Sequence, residues 1–122
     1  MSAGDTKEIN PNKGPVNLLF VCSRNQWRSP TAEEIYKNQQ GLSVRSAGTE
    51  PSARIKLNSK TISWADIIFV MEKKHKERIV QNFKHEIENR PIVILDILDE
   101  YEFMDPELVE DIRTKVDNYL SV

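Results

Sequence analysis

The feature that most constrains the fold is an alternation of short apolar runs with segments of helical pattern. Four runs read as strands: VNLLFV (16–21), LSVRSA (42–47), DIIFVM (66–71) and IVILDI (92–97). Three of them are nearly continuous in apolar residues, which is typical of strands buried on both faces of a parallel sheet. A helical pattern follows each run, so the sequence predicts an α/β fold: a three-layer α/β/α sandwich with a four-stranded parallel sheet and right-handed crossovers.

The first helix is expected directly after the first strand. Ser29 is a good N-cap and Pro30 suits the first helical position. We expect this helix to end near Gln39, with Gly41 as its stop.

Three further helices are predicted from caps and apolar spacing. Asn58 caps one that carries Ile62 and Ala65, and Asp105-Pro106 opens the last. The third helix, 73–83, is charged. The expected inner-face residues are Ile79, Val80 and Phe83 in the third helix, and Leu108, Ile112, Val116 and Tyr119 in the last.

Composition bounds the class of protein and its partners. Of 122 residues, 39% are hydrophobic and 30% are charged, which fits one globular domain, here 16–122. A net charge of −2 argues against nucleic acid and anionic membranes as partners. No apolar run approaches the roughly 20 residues of a membrane span. A monomer is favoured.

The N-terminal segment and the single cysteine indicate the cellular compartment of the protein. Residues 1–15 are polar and lack the apolar core of a signal peptide, so we expect a flexible arm on a cytoplasmic protein. One cysteine cannot form an internal disulfide, and two distant histidines do not indicate a metal site. No cofactor is expected.

The only cysteine, Cys22, ends the first apolar run, and an arginine follows after five residues. Residues between a strand and a helix can turn their N–H groups inward as an anion nest. Arg28 offers a planar fork for two phosphate oxygens, and a thiolate at the floor of the nest is a nucleophile. The candidate substrate-binding residues are Ser23, Arg24, Asn25, Gln26, Trp27 and Ser29.

The pattern Val21-Cys22…Asn25…Arg28-Ser29-Pro30 resembles the signature of the low-molecular-weight protein tyrosine phosphatases, whose fold is flavodoxin-like. Two further matches follow in order: Ser46-Ala47-Gly48-Thr49 is similar to the family's SAGT turn, and Asp105-Pro106 to its Asp-Pro loop. The resemblance implies that Cys22 and Arg28 are catalytic, that Asp105 is the general acid, and that Ser46 supports Asn25. It also implies a phosphocysteine intermediate and no metal.

The chain departs from that pattern around the pocket. Trp27 stands where the family commonly has a second cysteine, and Arg24 where it usually has glycine. The segment after the SAGT turn is abbreviated, and the aromatic residues that wall a phosphotyrosine ring do not follow Asp105-Pro106. Candidates to replace that wall are Tyr101 with Phe103, or Trp27.

Some of these residues also have a purely structural interpretation. Cys22 alone could be a buried small hydrophobe, and Asp105 a plain helix cap. His75 and His85 are interpreted as solvated helix residues without a role.

The sequence thus predicts a cysteine-dependent phosphomonoesterase acting on phosphotyrosine protein or a small phosphomonoester, with phosphate, sulfate and vanadate as ligands. The alternative is a catalytically weak phosphate- or phosphoprotein-binding module. An arsenate reductase would need relay cysteines, and a phosphocysteine carrier has little use for Asp105.

Overall fold

The computed structural model describes residues 14–120, so most of the predicted N-terminal arm lies outside the described residues. Strands and helices alternate as the sequence predicts. The elements are β1 (Val16–Cys22), α1 (Arg28–Tyr36), β2 (Leu42–Gly48), α2 (Ser59–Trp64), β3 (Ile67–Val70), α3 (Lys73–Asn82), β4 (Ile92–Ile94) and α4 (Pro106–Leu120).

The four strands form one parallel sheet in the order β2-β1-β3-β4. Strand β2 pairs with one edge of β1, and the chain then crosses over so that β3 pairs with the opposite edge of β1. The strand order therefore reverses at the carboxyl end of β1, which is where ligands bind in open α/β sheets. Cys22 is the last residue of β1 and pairs with Gly48 of β2.

Two apolar clusters fill the space on the two faces of the sheet. Leu18 and Phe20 of β1 point to one face, where they pack with residues of α1 and α4. Leu19 and Val21 point to the other, where they pack with residues of α2 and α3. Because side chains alternate along a strand, one continuous apolar run supplies both clusters, and the predicted three layers are confirmed.

Several predicted boundaries differ from the structure. The Asn58 cap is confirmed, because its side chain accepts a hydrogen bond from the Thr61 N–H. Helix α1, however, begins at Arg28 with Trp27 as its N-cap, so Ser29 is not the cap, and the helix ends at Tyr36 rather than near Gln39. The prediction for Ser29 was wrong because its hydroxyl is engaged with Cys22 and Asn25 inside the protein.

The third helix and the last strand also depart from expectation. Val80 is 42% exposed, so of the three residues predicted for the inner face of α3 only Ile79 is fully buried. Strand β4 ends at Ile94, although the N–H of Leu95 and that of Ile97 still donate to carbonyls at the end of β3. Within residues 14–120, no helix has the length and apolar character needed to cross a bilayer.

Candidate active site: an anion cradle at the end of β1

The loop 22–27, which joins β1 to α1, turns its carbonyl groups away from its own interior. Four successive carbonyl oxygens accept hydrogen bonds of 2.9 to 3.0 Å from the neighbouring segment 49–54. The pairs are Cys22 O with Thr49 N, Ser23 O with Glu50 N, Arg24 O with Arg54 N, and Asn25 O with Arg54 Nε. Among the described residues, the N–H groups of 23–27 have no acceptor. These donors are free to bind an anion.

Asn25 gives the loop its turn. Its φ of +57° lies in the left-handed region, which asparagine tolerates better than most residues, and the residue is completely buried. Its side-chain amide donates to Ser29 Oγ at 2.8 Å and to Ser46 Oγ at 2.9 Å. The predicted contact between Ser46 and Asn25 is thus present.

These two hydrogen bonds fix the direction of the serine hydroxyls. Because both hydroxyls accept from Asn25, each must donate elsewhere. Ser46 donates to Glu33 Oε1 at 2.6 Å. Ser29 Oγ lies 3.0 Å from Cys22 Sγ and 3.4 Å from the Ala47 carbonyl oxygen, and either atom can accept its hydrogen. The Ser29 hydroxyl is thus within hydrogen-bond distance of the sulfur at the floor of the loop.

Arg28 is anchored through one of its terminal nitrogens. Its Nη1 donates to Glu72 Oε2 at 2.5 Å and to the Ile97 carbonyl at 2.7 Å, and the side chain is 2% exposed. Burial alone would raise the pKa of the Glu72 carboxyl, but the hydrogen bond and charge of Arg28 outweigh burial and lower it. The other edge, Nε and Nη2, makes no hydrogen bond to the described residues and can chelate two oxygens.

A small cavity of about 50 Å³ opens above the thiol. Its lining residues are Cys22, Arg24, Gln26, Trp27, Arg28 and Asp99. We call this cavity, together with the loop 22–27 and Arg28, the cradle. Trp27 is 43% exposed, so it offers an aromatic surface at the mouth.

The aspartate at the cradle is Asp99, which sequence analysis did not single out. Its Oδ1 lies 3.8 Å from Arg28 Nε, and its side chain is 57% exposed. Asp105 is absent from the lining, and its carboxylate instead accepts from the Glu107 N–H at 2.9 Å at the start of α4. The structure therefore gives Asp105 the position of a helix cap and places another carboxylate beside Arg28. A signal for Asp99 was present, since it closely follows the last apolar run.

His75 was predicted to be solvated, and this prediction was wrong. It is 1% exposed, and its Nε2 lies 2.9 Å from Ser23 Oγ. Burial, with the charge of Arg28 as the next cause, lowers the pKa of His75 to about 4. The spacing Glu72-x-x-His75, which forms a capping box at the start of α3, is the signal that could have identified it.

The remaining predicted site residues are divided between the cradle and its surroundings. Arg24 and Gln26 line the mouth, whereas the Ser23 side chain is turned toward His75. Of the candidate wall residues, Tyr101 packs against the core, and Phe103 lines a neighbouring groove that shares Gln26 with the cradle. Trp27 is the only one of them at the cavity itself.

The chain is similar in sequence or in fold to several known phosphatases. No protein-family model matches the chain. A curated relative, the protein-arginine-phosphatase of Geobacillus stearothermophilus, is 32% identical over 57% of this chain and 63% of its own length. The solved YwlE arginine phosphatase from Geobacillus stearothermophilus has a TM-score of 0.65 at 24% identity, covering 88% of this chain and 89% of that one. Escherichia coli K30 tyrosine phosphatase Wzb, solved with phosphate, has a TM-score of 0.70 at 19% identity, covering 90% and 95%.

Fold and site together define an architecture: a parallel α/β sheet with a buried thiol at the carboxyl end of β1, beside a loop whose N–H groups have no acceptor among the described residues. The chain has the fold of these solved arginine and tyrosine phosphatases. The aligned segment spans less than two thirds of the curated relative.

Gly48 permits the close approach of β2 to the loop, which yields a prediction. A Cβ at this position would lie 2.5 Å from the Ser23 carbonyl oxygen and 3.0 Å from the Asn25 nitrogen. Both contacts are with backbone, so Gly48→Ala must displace the cradle. We expect phosphate affinity, measured by calorimetry, to fall at least about tenfold, with a loss of about 1–3 kcal/mol in the free energy of unfolding.

Gly41→Ala is the matched control. Gly41 has a φ of +89°, so alanine is strained there too, but the residue lies beyond the far end of α1. This variant should lose stability and keep wild-type phosphate affinity. Equal affinity in both variants would show that Gly48 does not shape the cradle.

Proposed function

We propose that this protein is a cysteine-dependent phosphatase that forms a phosphocysteine intermediate. One observation carries the proposal: Cys22 and Arg28 line the same cavity, beside a loop whose N–H groups have no acceptor among the described residues. A phosphoryl dianion requires both features, a positively polarised pocket and a nucleophile on its floor.

In the first step the Cys22 thiolate attacks phosphorus. The S–P bond forms as the bond from phosphorus to the leaving atom breaks, and a protonated carboxyl supplies a proton to that atom. The loop N–H groups and the free edge of Arg28 bind the equatorial oxygens, whose charge they stabilise in the transition state.

In the second step water replaces the sulfur. A carboxylate accepts a proton from the water as its oxygen attacks phosphorus, the S–P bond breaks, and inorganic phosphate and the thiolate result. The same carboxyl group can serve both steps, because the first leaves it deprotonated.

We assign this carboxyl group to Asp99 rather than Asp105. Asp99 lines the cavity, and its Oδ1 lies 3.8 Å from Arg28 Nε. Asp105 is held by a hydrogen bond from the backbone N–H of Glu107. In this proposal Asp99 takes the acid–base role that the family resemblance implies for Asp105.

Leaving-group dependence separates the two aspartates. Asp99→Asn should slow turnover of phenyl phosphate, a poor leaving group, by about 10²- to 10⁴-fold, and that of p-nitrophenyl phosphate much less. Asp105→Asn is the control, because asparagine caps helices as well as aspartate does, and it should leave both rates near those of wild type. The assignment is wrong if the selective loss appears in Asp105→Asn instead.

The substrate class has two candidates. Phosphotyrosine is the substrate predicted by the family resemblance, and the exposed Trp27 ring at the mouth can stack against an aromatic leaving group. Phosphoarginine is the second candidate. The name of the curated relative suggests it, and the Asp99 carboxylate could pair with a guanidinium group at the mouth.

Phosphate release from matched phosphotyrosine and phosphoarginine peptides tests both the activity and the substrate. We expect the wild type to hydrolyse the phosphotyrosine peptide with the higher kcat/KM, and Trp27→Ala to raise KM for that peptide selectively. The opposite order of kcat/KM selects phosphoarginine.

Cys22→Ser is the control for activity itself. It should reduce release from both peptides to the uncatalysed background. If the wild type releases no more phosphate than Cys22→Ser yet binds phosphate, the protein is a phosphate-binding module and not an enzyme.

A further inference from the structure

Both ends of the cradle are attached to the first turn of α3. At the start of the loop, Ser23 Oγ lies 2.9 Å from His75 Nε2. At its end, Arg28 Nη1 donates to Glu72 Oε2. Glu72 and His75 are also bonded to each other, since the Glu72 N–H donates to His75 Nδ1 at 3.0 Å.

The backbone contact fixes the tautomer of the imidazole. An N–H group can only donate, so Nδ1 is the accepting nitrogen and the hydrogen of neutral His75 sits on Nε2. The ring therefore donates to Ser23 Oγ. A charged imidazolium would carry a hydrogen on Nδ1 as well, facing the Glu72 N–H.

We propose that His75 is a positioning residue: its neutral imidazole holds Ser23, and with it the first N–H groups of the cradle, in register with Arg28. The catalytic part of this inference rests on the proposed function, while the anion-binding part does not.

The contact is specific to the loop and is not general packing. The Ser23 side chain does not line the cavity, and His75 is its only described hydrogen-bond partner. Segment 49–54 holds the carbonyl groups of the loop from one direction. The turn of α3 holds its two ends from another, through Glu72 and His75.

Protonation should break the hydrogen bond from the Glu72 N–H to His75 Nδ1 and so free the ring that holds Ser23. The charged groups that face His75 are Arg28 from α1, and Glu72, Lys74 and Arg78 on or beside α3. Three of these four are cations, so a proton on His75 meets net repulsion and also loses the Nδ1 acceptor. Because its pKa is lowered to about 4 from an ordinary value near 6.5, the contact is intact at neutral pH and is lost as pH falls through about 4.

Three variants of the full chain test the proposal: His75→Ala, Ser23→Ala and the double variant. At pH 7 each single change should weaken binding of inorganic phosphate, measured by calorimetry, by about five- to tenfold. The double variant should be no weaker than either single one, because both remove the same contact. His85→Ala is the control, since His85 is exposed and should bind phosphate as wild type does.

A conservative variant separates positioning from a merely structural role. His75→Gln keeps an N–H donor but does not titrate, so it should bind phosphate more tightly than His75→Ala. The loss of phosphate affinity between pH 6 and pH 4 should be shallower in His75→Gln than in the wild type.

The proposal is overturned if the His75 and Ser23 variants lose stability in urea with unchanged phosphate affinity, or if their effects on affinity add. If the wild type binds phosphate but shows no turnover, the proposed enzymatic function is wrong, whereas the affinity measurements still test the role of His75. Where turnover is present, kcat/KM for p-nitrophenyl phosphate should fall in parallel with affinity.

Discussion

The structure depends above all on the pairing of the loop 22–27 with the segment that follows β2. A peptide carbonyl that is hydrogen-bonded on one side leaves its neighbouring N–H groups aimed to the other. Here four successive carbonyls are bonded to segment 49–54, and the N–H groups of 23–27 have no acceptor among the described residues. Gly48 allows this pairing because its position has no room for a side chain. The shape of the site is therefore determined first by backbone hydrogen bonding, and the side chains act within that shape.

Buried polar side chains hold that geometry. A row of hydrogen bonds runs from Cys22 through Ser29, Asn25 and Ser46 to Glu33, and one amide group sets its direction. Two features of Asn25 are energetically unfavourable. Its φ is positive, and its buried Oδ1 has no hydrogen-bond partner among the described residues. Such local strain concentrates at functional sites. The guanidinium of Arg28, nearly inaccessible to solvent, is compensated by Glu72 on one edge, and its Nε and Nη2 make no hydrogen bond to the described residues.

Features that follow from local periodicity could be predicted from the sequence, and features that depend on tertiary contact could not. The apolar runs predicted where the four strands lie along the chain and that Cys22 is at the end of the first one. Asp105-Pro106 is a correct helix start, but the same letters cannot say which aspartate reaches the cradle. Which aspartate reaches the cradle depends on the path of segment 95–105. Asp96 and Met104 adopt positive φ there, and because neither is a glycine, the sequence does not indicate these turns. His75 and Val80 occupy one charged helix, and only packing decides that the histidine is buried and the valine is exposed.

The most direct measurement is a crystal structure of the protein with vanadate bound. The account predicts vanadium bonded to Cys22 Sγ, equatorial oxygens within hydrogen-bond distance of the N–H groups of 23–28, and two of them on the Nε and Nη2 edge of Arg28. Asp99 should approach the apical oxygen. Vanadate bound away from the thiol, or a loop whose carbonyl groups face the ion, would contradict the account.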